Sequence, residues 1–155
     1  MSKQSEQTPP AWKAGNRNYG TGLTLKIARE MLEAGEKEAE RQGVPMVIAI
    51  TDSGGNLLAF IRMDNALLLS INVAMDKAFT AVLSKLPTAP PPGGINPPFI
   101  HKRWIQFPGG FPIIKDGVLL GGVGVSGGTV EDLYVARAAL AAGGFSLDEV
   151  NAVLS

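Results

Sequence analysis

The sequence contains a single histidine, His101, which is followed directly by two cations and a tryptophan, Lys102, Arg103 and Trp104. An imidazole transfers protons near neutral pH and also ligates iron. The adjacent cations disfavour the protonated imidazole and attract an anion. A lone histidine is also commonly an exposed or structural residue. Three interpretations of His101 therefore stay open: an acid–base group, an iron ligand, and a residue with no direct role.

Three cations are candidates for holding the carboxylate of a small ligand: Arg62, Lys77 and Arg103. A guanidinium binds a carboxylate through parallel N–H bonds, and a partly buried lysine binds anions or transfers protons. Lys77 falls in a helical pattern that is mainly apolar, so its amine either reaches the surface or lines a pocket. Arg62 has a second interpretation, an ion pair with Asp64 two residues later.

An apolar strand runs into Ser-Gly-Gly twice, in residues 50–56 and 122–129. The second stretch matches the dinucleotide pattern G-x-G-x-x-G between a predicted strand and a predicted helix. No strand follows that helix, so the βαβ unit of a nucleotide site is not completed. We favour glycines that allow close packing and a sharp turn. The backbone N–H groups of Gly127, Gly128 and Thr129 open the helix, and a ligand carboxylate is an alternative partner for them.

Composition excludes several classes of site. The 155 residues include 14 basic and 14 acidic side chains, no cysteine and one histidine. Thiolate nucleophiles, disulfides, iron–sulfur clusters and multi-histidine metal sites within one chain are thereby excluded, and we expect no metal site. The zero net charge does not favour nucleic acid or a membrane surface as a partner. It does permit self-association. No membrane span or signal peptide is recognised, so we expect a cytoplasmic protein.

Hydrophobic periodicity divides the chain into a flexible tail over residues 1–20 and one domain over residues 21–155. Thr24 is predicted to cap a first helix that ends at Gly43. Residues 47–51 and 57–62 then form a hairpin.

A second helix is predicted over about residues 67–86, with Asp64 or Asn65 as its cap. A second hairpin turns at Asp116-Gly117, and Thr129 is predicted to cap a third helix, with Asp132 in a capping box. A final short helix follows. Two hairpins separated by helices indicate an α+β fold, an antiparallel sheet flanked by helices.

Residues 87–112 interrupt this pattern with a proline-rich segment. Seven prolines lie between Pro87 and Pro108, together with Phe99, His101, Trp104 and Phe107. Disordered linkers are poor in aromatic residues, so we expect the segment to be ordered against another part of the protein. Long loops in compact domains are often functional.

Four stretches together resemble the GlcG/HbpS-like family: residues 50–64, 77–81, 107–113 and 122–128. This family includes the haem-binding HbpS proteins, the GlcG proteins of glycolate operons, the C-terminal domain of PduO and members similar to hydroxylaminobenzoate lyases. The resemblance implies a profilin-like α+β fold and frequent homo-oligomers. The proline-rich segment departs from the common pattern, which weakens any transfer of haem ligands.

The main interpretation is a small-molecule catabolic enzyme. It would be a cofactor-independent lyase that acts on a small aromatic or organic acid, similar to the hydroxylaminobenzoate lyases, which form a catechol and release ammonia. His101 and Lys77 are the candidate catalytic residues. The candidate substrate-binding residues are Arg62, Arg103, Trp104, Phe107, Gly127 and Gly128. The alternatives are a haem-binding or haem-sensing protein, with haem as the cofactor and His101 as an axial ligand, and a non-catalytic module that binds a small ligand.

Overall fold

A computed structural model describes residues 22–90 and 101–154 of the protein. The predicted tail over residues 1–20 and residues 91–100 of the proline-rich segment, including Phe99, lie outside the described residues. Eight elements follow in order: α1 (Leu25–Gln42), β1 (Val47–Asp52), β2 (Leu57–Arg62), α2 (Ser70–Ser84), β3 (Gly110–Lys115), β4 (Val118–Ser126), α3 (Glu131–Ala142) and α4 (Leu147–Leu154).

The four strands form one antiparallel sheet in the order β2-β1-β4-β3. Successive side chains of a strand point to opposite faces. Ile48 and Ile50 of β1 therefore join the core beneath α1 and α3, whereas Val47 and Ala49 pack against α2. Both faces of the central strands are covered by helices. The arrangement confirms the predicted α+β fold, and within the described residues no helix has the length and apolarity needed to cross a bilayer.

Helix α1 has the predicted ends. The Thr24 hydroxyl accepts the Ile27 N–H at 3.2 Å, and Gly43 closes the helix with a φ of 71°. Glycine adopts this left-handed conformation at the lowest cost. The buried residues recur at helical spacing: Ala28, Met31, Leu32, Gly35 and Ala39. One face of α1 thus anchors the sheet from the side opposite α2.

Helix α2 lies unusually close to β4 because β4 carries glycines on the facing side. A Cβ at Gly122 would lie 2.5 Å from the Ala78 carbonyl oxygen, and a Cβ at Gly124 would overlap the Ala74 carbonyl oxygen. These residues belong to the stretch that matches the dinucleotide pattern. The structure supports the packing interpretation of that pattern, because the space a larger residue would need is filled by the α2 backbone.

The start of α2 differs from the prediction. The helix begins at Ser70, preceded by Leu69, whose apolar side chain cannot cap it. Asn65 instead adopts a left-handed conformation, with φ 66°, in a turn before the helix. The prediction that Asp64 or Asn65 caps α2 is therefore wrong. The leucine run over residues 67–69 extended the helical pattern into a turn that is closed by backbone hydrogen bonds.

Thr88 holds both ends of the proline-rich segment at the sheet. Its hydroxyl donates to the Phe107 carbonyl at 2.6 Å and accepts the Gly110 N–H at 2.8 Å. Its own N–H donates to the Gly110 carbonyl at 2.9 Å. Further along, the Thr80 hydroxyl of α2 accepts the Ile105 N–H at 3.0 Å. The described part of the segment thus packs against α2 and β3, and the order expected for the whole segment stays a prediction.

Candidate functional site

Among residues 22–90 and 101–154, three depressions lie beside α2, and each borders part of the proline-rich segment. We call them the Lys77 cavity (about 440 Å³, reaching Phe107 and Asp132), the Arg103 cleft (about 560 Å³, reaching Thr51 and Asp76) and the Trp104 pocket (about 300 Å³, reaching Thr88). The first two volumes fall within the range of small-molecule sites, and the third is at its lower limit.

The Lys77 cavity is built on a buried ion pair between α2 and α3. The Lys77 ammonium donates to Asp132 Oδ2 at 2.9 Å and to the Val125 carbonyl at 2.7 Å. Lys77 is 2% exposed and Asp132 is 3% exposed. The other carboxylate oxygen of Asp132 accepts the Gly128 N–H at 2.8 Å. One cation therefore joins α2, the end of β4 and the start of α3.

Burial lowers the pKa of Lys77 below its ordinary value of 10.5, and the charge and hydrogen bond of Asp132 partly oppose that shift. Desolvation penalises the charged amine, whereas a neighbouring carboxylate stabilises it. The charged state of Lys77 thus depends on Asp132, and a perturbed buried amine that lines a cavity is suited to proton transfer.

The two glycines after Pro108, Gly109 and Gly110, pack closely against Lys77. A Cβ at Gly109, which has a φ of 124°, would lie 2.9 Å from Lys77 Nζ and 2.7 Å from the Val125 carbonyl oxygen. A Cβ at Gly110 would lie 2.6 Å from the Lys77 carbonyl oxygen. The paired glycines of the proline-rich segment were the available sequence signal for this close approach. No sequence pattern indicated that Asp132 would be the partner of Lys77.

The remaining walls of the Lys77 cavity are mainly apolar. Ser126 contributes a hydroxyl that is hydrogen-bonded to the Ser70 hydroxyl at 3.0 Å. Phe107 lies at the rim and is 65% exposed. The apolar lining consists of Leu69, Val73, Phe107, Pro108, Val130 and Leu133. The structure thus brings three predicted site residues together here: Lys77, Phe107 and Gly128.

The backbone N–H groups before α3 already bind carboxylates of the chain itself. The Gly128 N–H donates to Asp132, and the Thr129 N–H donates to Glu131 at 2.9 Å. The Thr129 N–H also holds the pKa of Glu131 below its usual value. In this structure the Gly128 N–H is therefore already used by Asp132, and its role as a donor to a ligand carboxylate stays a prediction. Gly127 packs instead, since a Cβ there would lie 2.5 Å from the Pro45 carbonyl oxygen.

The predicted cap of α3 is also wrong. The helix begins at Glu131, and the residue before it is Val130 rather than Thr129. The Thr129 hydroxyl lies 3.1 Å from the Glu131 carboxylate, its hydrogen-bond acceptor. Asp132 faces the buried amine of Lys77. Thr129 and Asp132 have the spacing of a capping box, but the Asp132 side chain pairs with Lys77 instead.

Arg103 lies at the Arg103 cleft rather than in the Lys77 cavity. Its Nε donates to Asp76 Oδ1 at 2.8 Å, and its Cζ lies 4.1 Å from the centre of the Phe79 ring. Both contacts are with α2. The guanidinium is half-buried and is held by an ion pair on one side and an aromatic face on another.

His101 is exposed and stacks at a tilt on the same phenyl ring, with 4.9 Å between the ring centres of His101 and Phe79. Its Nδ1 accepts the Arg103 N–H at 3.1 Å. His101 does not line the Lys77 cavity. The two predicted catalytic residues thus lie apart: His101 is on the surface, and Lys77 is buried at its cavity.

Trp104 and Arg62 line neither the Lys77 cavity nor the Arg103 cleft. Trp104 is half-buried and lines the Trp104 pocket. Arg62 is exposed at the end of β2 and lines none of the three depressions. The predicted set therefore divides among three depressions and the open surface. Within residues 22–90 and 101–154, no cluster of three or more acidic, histidine or cysteine side chains could hold a metal ion.

Comparison with known proteins decides the family. A family model described as haem-degrading protein HbpS-like matches residues 23–141. The chain belongs to this HbpS-like family. The match covers all the elements that surround the three depressions, and it confirms the resemblance read from the sequence.

Individual HbpS-like relatives support the same assignment. A 15.0 kDa protein encoded between dhaT and dhaS in Citrobacter freundii is 37% identical over 127 residues, which are 76% of this chain and 89% of that protein. The corrinoid adenosyltransferase PduO of Citrobacter freundii is 33% identical over 138 residues, which are 83% of this chain but only 41% of PduO. A crystal structure of PduOC in complex with haem has a TM-score of 0.73 and 33% identity, covering 79% of this chain and 95% of that chain.

Proposed function

We propose that this HbpS-like protein binds haem. The proposal is carried by its similarity to the haem complex of PduOC, which extends over 95% of that chain. The description of the matching family also refers to haem. The lyase activity expected from the sequence has no comparable support among these relatives.

The side chains around Phe79 offer suitable donors for haem. His101 is the only imidazole of the chain, and it is exposed, so a large planar ligand can reach it. Lys102 is exposed beside it and would bind a propionate group. The Phe79 ring, which has Arg103 over it, is partly exposed next to His101 and would add apolar contact. His101 would be the residue that ligates the iron, and the bound haem would supply that iron centre.

Ligation would change the local hydrogen bonding of His101. Because Nδ1 accepts the Arg103 N–H, the neutral imidazole carries its proton on Nε2. An iron-ligating histidine normally donates from its other ring nitrogen. If His101 held the iron through Nε2, its Nδ1 would carry the proton and would no longer accept the Arg103 N–H. Haem binding should consequently disturb residues 101–103.

A haemin titration of the purified, haem-free protein tests this proposal. We expect a saturable Soret shift at about one haem per chain, weakened about tenfold or more in His101→Ala. Arg137→Gln, an exposed cation of α3 on the opposite side of the sheet, is the matched control and should bind haemin like the wild type.

Two results would overturn parts of the proposal. The absence of a saturable shift in the wild-type protein would reject haem binding. A shift that is identical in His101→Ala would reject His101 as the ligand and leave haem binding to other residues.

A second candidate function is the small-molecule lyase, and the Lys77 cavity favours it. A buried amine of lowered pKa, an apolar wall and the phenyl ring of Phe107 suit a small aromatic substrate. In a lyase built on this cavity, Lys77 transfers the proton, because His101 does not line the cavity. We expect ammonia release from a hydroxylaminobenzoate to be unchanged in His101→Ala and lowered in Phe107→Ala through a higher KM. No ammonia release by the wild-type protein would reject the lyase.

A further inference from the structure

The Arg103 cleft contains a buried hydroxyl that has no partner within the described residues. Thr51 lies near the end of β1 with its side chain on the α2 side of the sheet, and it is 1% exposed. Its Oγ1 has no hydrogen-bond partner there. A buried hydroxyl without a partner costs folding free energy that an apolar residue of the same shape would avoid. Thr51 lines the cleft, so a molecule that binds there and shifts the groups covering this oxygen would supply the missing partner.

The same cleft contains a fixed guanidinium that retains binding capacity. Arg103 uses Nε for Asp76 and rests on Phe79, so its orientation is set before any ligand arrives. A guanidinium has five N–H donors in a planar fork, and a carboxylate accepts two of them in parallel. The side chain is 35% exposed, which leaves it accessible. A carboxylate is the group this arrangement selects.

Asp76 restricts which carboxylates fit. Its Oδ1 accepts from Arg103, and the carboxylate as a whole is 27% exposed on the cleft side of α2. A ligand carboxylate at Arg103 therefore comes close to a second negative charge. A hydroxyl next to the ligand carboxylate would relieve this by donating to Asp76, because an ionised carboxylate only accepts hydrogen bonds. Leu57 and Met75 provide apolar surface for the rest of the ligand.

We propose that the Arg103 cleft binds a small 2-hydroxycarboxylate with an apolar substituent. Its carboxylate contacts Arg103, its hydroxyl contacts Asp76, and Thr51 gains a partner from the same polar end. This site does not depend on haem binding or on the Lys77 cavity. Thr51, Asp76 and Leu57 take no part in the haem proposal, whereas Phe79 and Arg103 border both sites, so the cleft is tested with haem-free protein.

Calorimetric titration with mandelate, using haem-free protein, tests the cleft. Mandelate has the carboxylate, the hydroxyl and an apolar ring. Two matched compounds each lack one polar group: phenylacetate lacks the hydroxyl, and mandelamide lacks the charge. We expect mandelate to bind about tenfold more tightly than either compound, as expected for one charge-assisted hydrogen bond. Equal binding of all three compounds, or no binding of mandelate, would overturn the proposal.

Variants separate the cleft from the rest of the surface. Arg103→Gln should weaken mandelate binding about tenfold or more, whereas Arg137→Gln should leave it unchanged. Thr51→Val keeps the side-chain shape and removes the hydroxyl. It should weaken mandelate binding without lowering the melting temperature of the ligand-free protein.

A lowered melting temperature with unchanged binding in Thr51→Val would show that the hydroxyl is structural, which contradicts the proposal. Unchanged binding in a folded Arg103→Gln protein would contradict it as well. Because no haem is present, failure here leaves the haemin titration unaffected, and failure of the haemin titration leaves this site unaffected.

Discussion

The substitution Lys77→Met isolates the buried ion pair that joins α2 to α3. Methionine keeps most of the side-chain volume but removes the charge and the donors. Asp132, which is 3% exposed, would then be a buried carboxylate without its cation, and the Val125 carbonyl would lose a donor at 2.7 Å. Removing one partner of a buried pair is strongly destabilising because the remaining charge is uncompensated.

The expected cost is large relative to the stability of the domain. Breaking a buried pair costs about 3–5 kcal/mol. The free energy of unfolding of a domain is about 5–15 kcal/mol. At about 2–4 °C of melting temperature per kcal/mol for a chain of this size, we expect Lys77→Met to melt about 6–20 °C lower.

Urea unfolding followed by circular dichroism measures the difference directly. The matched control is Lys37→Met, which removes the same charge from an exposed pair with Glu33, where the two side chains are 72% and 67% exposed. That variant should lose less than about 1 kcal/mol. The double variant Lys77→Met/Asp132→Asn should regain part of the loss, because an amide oxygen still accepts the Gly128 N–H while the buried charge is gone.

The reasoning fails if Lys77→Met and Lys37→Met lose similar amounts of stability. Such a result would mean that Asp132 is solvated without Lys77, and the buried pair would not be the joint between α2, β4 and α3. A double variant less stable than Lys77→Met would equally contradict the role given to the uncompensated charge.

Two further predictions concern pH and packing. Burial lowers the pKa of Lys77 from 10.5, so between the folded and unfolded pKa values the unfolded chain binds more protons at Lys77 than the folded chain does. The wild type should therefore gain stability relative to Lys77→Met as pH rises toward 10.5. A difference in free energy of unfolding between the two proteins that stays constant with pH would contradict this. Gly124→Ala should destabilise the protein by about 1–3 kcal/mol, since its Cβ would overlap the Ala74 carbonyl oxygen, whereas Gly22→Ala, which meets nothing within 4 Å, should be neutral in the same urea titration.

The elements with strong local signals were predictable from the sequence. Strand β2 has the predicted bounds, Leu57–Arg62. The second hairpin turns at Asp116 and Gly117, with φ values of 52° and 75°, as a tight turn requires. The cap at Thr24 was recognisable because an apolar periodic stretch begins directly after it. Each of these signals lies within a few residues of the feature it predicts.

The arrangement of the site was not predictable in the same way. Lys77 and Asp132 are 55 residues apart, and no local pattern pairs them. Asp76 and Lys77 are neighbours in sequence, but consecutive helical residues point about 100° apart, so one faces the Arg103 cleft and the other the Lys77 cavity. Proximity in sequence therefore suggested one site for side chains that the helix directs to two.

Self-association of the protein stays a prediction.

Because of Thr88, the segment that follows it can vary in length and composition without loss of the fold. Its three hydrogen bonds to Phe107 and Gly110 fix the start and the end of that segment at the sheet, whatever lies between. The entropy of closing a loop rises slowly with length, at about 0.6 kcal/mol per doubling. The fold can therefore accept an intervening segment of another length and composition at little thermodynamic cost. In this chain, ligand preference can therefore change through that segment while the sheet and the buried ion pair stay constant.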